Sequence, residues 1–135
     1  MVKLYYLLLF LTYGLAQPVP DEFQYNSSTL QAFYYFNNLV IDGVAVESDD
    51  WVGAFNGDVC VGSRQWDTSL CGNGVCDLPV MGDDGNDFTV GYMHNGDIPT
   101  FKIYDASEDI YYDAIPSENF GWANFGFYSI ENLNG

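Results

Sequence analysis

Short runs rich in Val, Ile, Phe, Tyr and Trp alternate with clusters of Gly, Asn and Asp along most of this chain. That rhythm is a strand-and-turn pattern, and helical spacing is almost absent. It predicts strands over residues 31–41, 44–47, 51–55, 59–66, 88–93, 100–104, 110–114 and 125–133, with a further short one at 78–81. Asn56-Gly57-Asp58 and Asn95-Gly96-Asp97 mark two tight hairpins, because Asn-Gly readily takes the positive φ angles such turns need. About eight strands at this spacing predict an all-β fold. The expected form is an antiparallel β-sandwich, immunoglobulin-like or jelly-roll, over residues 30–135.

Two segments fall outside that rhythm. Residues 1–16 carry Lys3, an apolar run from Leu4 to Leu15, and small residues at Gly14 and Ala16. This is the layout of a cleavable secretory signal, and the run is shorter than the roughly 20 residues a bilayer span requires. Residues 17–29, with Pro18, Pro20, Asp21 and Glu22, read as an extended N-terminal arm. Phe23 and Tyr25 alternate with Gln24 and Asn26, and Leu30 and Ala32 can continue the apolar spacing. Such an arm can add itself as a strand to the sheet of a neighbouring subunit. The same residues serve equally well as the start of the first strand of their own sandwich.

Charge narrows the partners. The formal net charge is −16, and loss of Lys3 with the signal makes it −17, leaving Arg64 and Lys102 as the bases. A surface this acidic repels phosphate backbones and anionic lipid, which excludes nucleic acid and membrane as partners. Aromatic residues make up 18% of the chain, far too many for a disordered acidic segment.

Three cysteines enter an oxidising compartment. Cys71-Gly72-Asn73-Gly74-Val75-Cys76 has the form of a tight turn closed by its own disulfide. Cys60, in the alternating run Val59-Cys60-Val61, suits a buried free thiol. Pairing of Cys60 with either of the others stays open, and one cysteine is left over in every case.

The segment Asp50-Trp51-Val52-Gly53-Ala54-Phe55-Asn56-Gly57-Asp58-Val59-Cys60-Val61-Gly62 resembles a motif of secreted bacterial surface proteins, D-x-I-G-A-F-x-x-G-x-C-x-G. In those proteins a G-x-x-x-x-F-K-x-Y-D-A segment follows, here Gly96-Asp97-Ile98-Pro99-Thr100-Phe101-Lys102-Ile103-Tyr104-Asp105-Ala106. The resemblance implies a non-catalytic β-sandwich module, of a kind usually found inside long multidomain chains near sorting or adhesion domains. The chain is also similar to small subunits of glycan-coated extracellular fibrils from aquatic microbes. That likeness implies a homo-polymer carrying attached or bound glycans. An extended arm and exposed sheet edges fit head-to-tail assembly, because such contacts do not close on themselves.

The remaining candidates are chemical sites. Asp83-Asp84-Gly85-Asn86-Asp87 gathers hard oxygen ligands, so Asp83, Asp84, Asn86 and Asp87 are the candidate calcium ligands. Acidic loops on an acidic chain are more often solvated turns. Asn26-Ser27-Ser28 is an N-x-S/T sequon, which makes Asn26 the candidate glycosylation site. Trp122, in a Gly-Trp-Ala-Asn loop, is the aromatic expected to be exposed for sugar stacking, whereas Trp51 and Trp66 lie in strands and are expected to be buried. His94 has no nucleophile in a recognisable motif beside it, and nineteen acids allow arbitrary carboxylate pairs. The sequence therefore predicts a secreted, non-enzymatic structural subunit of a fibril or surface assembly. The alternative is a carbohydrate-binding or calcium-stabilised adhesive module.

Overall fold

The computed structural model describes residues 18–135; the expected signal segment lies outside them. Eight strands run in chain order: β1 Gln31–Ile41, β2 Val44–Ala45, β3 Trp51–Asn56, β4 Val59–Gln65, β5 Cys76–Met81, β6 Thr100–Asp105, β7 Ile110–Pro116 and β8 Phe127–Asn134. They join in one curled sheet, a half-barrel, in the order β2-β1-β8-β7-β6-β3-β4, with β5 also paired to β1. No α-helix occurs among the described residues, and short 3-10 turns make the connections.

Alternation explains the core. Ala32, Tyr34 and Phe36 of β1 point inward, as do Val52 and Ala54 of β3 and Phe101 and Ile103 of β6. Trp66, Leu78, Val80, Ile130 and Leu133 belong to the same cluster. The junction between the two halves of the sheet is thin: only Ile115↔Asn134 and Pro116↔Leu133 pair β7 with β8. Curling brings β4 against β5 on the far side. A Cβ on Gly62 would lie 1.9 Å from the Pro79 carbonyl oxygen, so only glycine fits there. Arg64 closes the same seam, donating to the Asp77 carboxylate at 2.6 Å and to its carbonyl at 3.1 Å.

Three expectations about the fold change. The pairing is not wholly antiparallel, because β1 and β8 run parallel from Phe33↔Phe127 to Val40↔Asn134. They come from opposite ends of the chain, so no hairpin dictates their direction. Residues 88–93 form no strand. Asp87–Thr89 is a 3-10 turn, Phe88 and Val90 are 73% and 71% exposed, and Met93 makes a single parallel bridge to Gly82. The buried Thr89 hydroxyl bonds to Asp84, which curls the segment into a loop. The Asn95-Gly96 turn therefore closes no hairpin, and β6 pairs instead with β3 and β7. The hairpin at Asn56-Gly57-Asp58 is present, with Gly57 at φ +61°.

Candidate assembly site

The arm lies on the outer face of the β4-β3-β6-β7 half of the sheet. Pro20 starts a 3-10 turn over Asp21–Phe23, closed by the Phe23 amide donating to the Pro20 carbonyl at 2.9 Å. This turn interrupts the extended arm expected for residues 17–29. Phe23 is fully buried in a second, smaller cluster with Trp51, Phe55 and Cys60. Its ring meets Tyr111, Phe55 and Tyr104 edge-on at 5.2, 5.9 and 6.4 Å. Its floor is Gly53, where an added Cβ would come within 2.6 Å of the ring. Within one chain, then, Phe23 is a plug in a socket on a sheet face rather than part of a strand at a sheet edge.

Side chains of the sheet and of the 88–93 loop satisfy the arm's backbone. Ser63 Oγ donates to the Phe23 carbonyl at 3.0 Å, the Glu22 amide donates to Tyr111 Oη at 3.1 Å, and the Asn26 amide donates to Tyr92 Oη at 2.8 Å. Lys102 sits over the Phe55 ring at 5.1 Å, and its Nζ is 4.0 Å from the Glu22 carboxylate. Burial pushes the Cys60 thiol up, and burial together with Cys60 and Tyr92 does the same for Tyr25. The hydrogen bond from Tyr104 to Asp109 pushes that phenol up to about 12. An apolar plug thus meets walls whose thiol and these phenols carry no charge.

Farther along, Tyr25 and Leu30 pack against the main core, and Ala32 is buried at the start of β1. All four apolar residues expected in the assembly arm therefore face their own chain, although only Phe23 belongs to the socket alone. Residues 24–29 form the exposed or half-buried link between socket and sheet.

The acidic loop is organised around Asp84. Asp84 Oδ2 accepts from the Thr29 amide at 3.1 Å and its hydroxyl at 3.3 Å, while Oδ1 accepts from the Asn86 amide, the Asn86 side chain and the Thr89 hydroxyl. These donors, the Thr29 amide foremost, hold its carboxyl well below the usual carboxylate range. Asp84 fastens the arm to the loop. Asp83 caps Gly85 and lies 3.3 Å from His94, and Asn86 and Asp87 are exposed. Among the described residues no three His, Cys, Asp or Glu side chains converge as metal ligands.

Trp122 corrects an expectation. It is 2% exposed, stacked on Gly82, and its indole N–H donates to the Val80 carbonyl at 2.9 Å. The Trp122 amide bonds to Asp97 O and its carbonyl to Gly96 N, which draws the loop inward. Trp51 and Trp66 are buried, as expected. Cys71 and Cys76 form the short disulfide, and Cys60 is a buried free thiol. Asn26 is exposed, with its side-chain amide donating to the Phe88 carbonyl at 3.1 Å.

Sequence reasoning missed Gly53, Tyr92 and Tyr111. A glycine in the centre of Trp51-Val52-Gly53-Ala54-Phe55 was the available signal, since strand glycines mark close approach of another group. Nothing local marks the two tyrosines among eleven. Comparison of the chain with known protein families, curated proteins and solved structures finds no significant match.

Proposed function

We propose that this protein is a structural subunit of an extracellular fibril or surface assembly, joined head to tail through its N-terminal arm. The observation that carries this reading is the buried Phe23 plug on its Gly53 floor, tethered by the polar link 24–29. Every copy bears the same plug and the same socket. An arm that leaves its own socket regains the same contacts in the next subunit, and exchange is then governed by concentration and by the reach of the link. A plug passed forward from each copy to the next gives an open chain.

The rest of the proposal follows the sequence. Residues 1–16 are a leader that exports the chain, the domain is a variant of the β-sandwich surface modules it resembles, and Asn26 carries a glycan on the exposed link. No step of this reading requires catalysis or a cofactor.

The arm's ion pair supplies the test. Lys102 is the only lysine after residue 16, and it stands beside Glu22 of whichever arm fills its socket. Carbodiimide coupling of purified protein (residues 17–135) at high concentration should give a ladder of cross-linked multimers under denaturing electrophoresis. Glu22→Gln should abolish that ladder. A product that stays monomeric and internally cross-linked would show that each arm remains in its own socket, and head-to-tail assembly by arm exchange would be wrong.

A further inference from the structure

The opposite face of the molecule has no arm. On the outer surface of β5-β1-β8, Pro79, Phe33 and Phe127 stand in one row across the three strands, with Tyr35 beside them. Phe127 stacks on Phe33 at 5.3 Å and lies 6.5 Å from Tyr35, yet remains 67% exposed; Phe125, just before β8, is 68% exposed. With a Phe side chain presenting roughly 200 Å², these groups leave about 400 Å² of apolar surface, the size of a functional patch.

We infer that this face is a self-association surface, covered by the same face of a second copy. Charge selects the occupant. Of the nineteen acids, strand alternation places Asp77 and Glu131 here, and Glu118 reaches the β8 margin, accepting from the Glu131 amide at 3.0 Å. Asp77 is neutralised by Arg64 at 2.6 Å, and Glu131 accepts from the Asn37 and Asn38 side chains at 2.8 and 3.2 Å. A chain of formal charge −17 after leader loss repels its copies almost everywhere, and this face is where two of them can touch. An aromatic centre with an amide rim also matches interface anatomy, and the patch supplies about half of the roughly 800 Å² each partner of a stable pair buries. The Phe33 and Phe127 planes are inclined by 20°, each turning one face to the other. The contact is isologous, so it pairs subunits and stands whether or not arms exchange.

Sedimentation of residues 17–135 across micromolar to millimolar concentration tests the inference. A dimer should form and should tighten with salt, which screens the residual repulsion. Phe127→Ser should weaken it by at least about a hundredfold, since two exposed rings are lost per dimer. Phe88→Ser, which removes an equally exposed ring off this face, should leave it unchanged. Ser129→Asp, which sets like charges opposite each other without touching the rings, is the second variant should Phe127→Ser fail to fold. Persistent monomer at all concentrations, equal effects of the Phe88 and Phe127 changes, or polysaccharide binding lost in Phe127→Ser without any dimer would each overturn it.

Discussion

Replacing Gly53 with Ala should eject the arm while sparing the main core. The new Cβ would lie 2.6 to 2.7 Å from two carbons of the Phe23 ring and 3.0 Å from a third. No real contact is that short, so the ring must move. It can, because it belongs to an arm whose backbone is held by a few side-chain hydrogen bonds and no strand ladder. The cost is therefore capped by the burial of Phe23, about 2–3 kcal/mol. Phe23→Ala alone should cost about 3 kcal/mol, at the low end for a buried Phe because the site lies on an outer face. The double variant decides the matter. With the ring gone the methyl added at position 53 enters vacated space, so Phe23→Ala with Gly53→Ala should be about as stable as Phe23→Ala alone, a coupling of about 2 kcal/mol or more. Urea unfolding followed by tryptophan fluorescence gives all four stabilities, and limited proteolysis within residues 18–29 reports arm release. Additive costs, or Gly53→Ala costing clearly more than Phe23→Ala, would refute a detachable plug and make the arm an inseparable part of the fold.

Gly62→Ala should be far worse, with a loss of at least about 4 kcal/mol or no folded protein, because its Cβ would strike the Pro79 backbone and neither strand can leave the core; soluble yield and a urea melt check this. Trp122→Ala should cost about 3–5 kcal/mol by cavity formation and by stranding the Val80 carbonyl, measured by thermal unfolding. Folding favours the charged form of Asp84, so its contribution is complete above the ordinary value of 3.8 and fades as pH falls through and below it. Asp84→Asn should accordingly flatten the acid limb of the stability profile and speed proteolysis of the arm at neutral pH. Reduction of the Cys71–Cys76 bridge should lower stability by about 2 kcal/mol, the effect of a small ring on the unfolded chain, read from melts with and without dithiothreitol.

The sequence by itself determined where most strands lie, the hairpin at Asn56-Gly57, the tight Cys71–Cys76 turn and the buried places of Trp51 and Trp66. These are local facts. Alternation decides which side chains share a face, and a turn residue decides its own φ. What lies over each face depends on groups far apart in the chain, and only the tertiary structure decided it. Phe23 becomes a plug because Gly53, Tyr104 and Tyr111 converge beneath it, and Trp122 is buried because Gly82 and the Val80 carbonyl accept it. Residues 88–93 carry apolar side chains fit for a strand, yet the Asp84–Thr89 hydrogen bond curls them into a loop that bridges its neighbour at Met93 alone. The parallel union of β1 with β8 has the same origin: pairing between chain ends is set by how the whole sheet curls around its core, which no short window of sequence encodes.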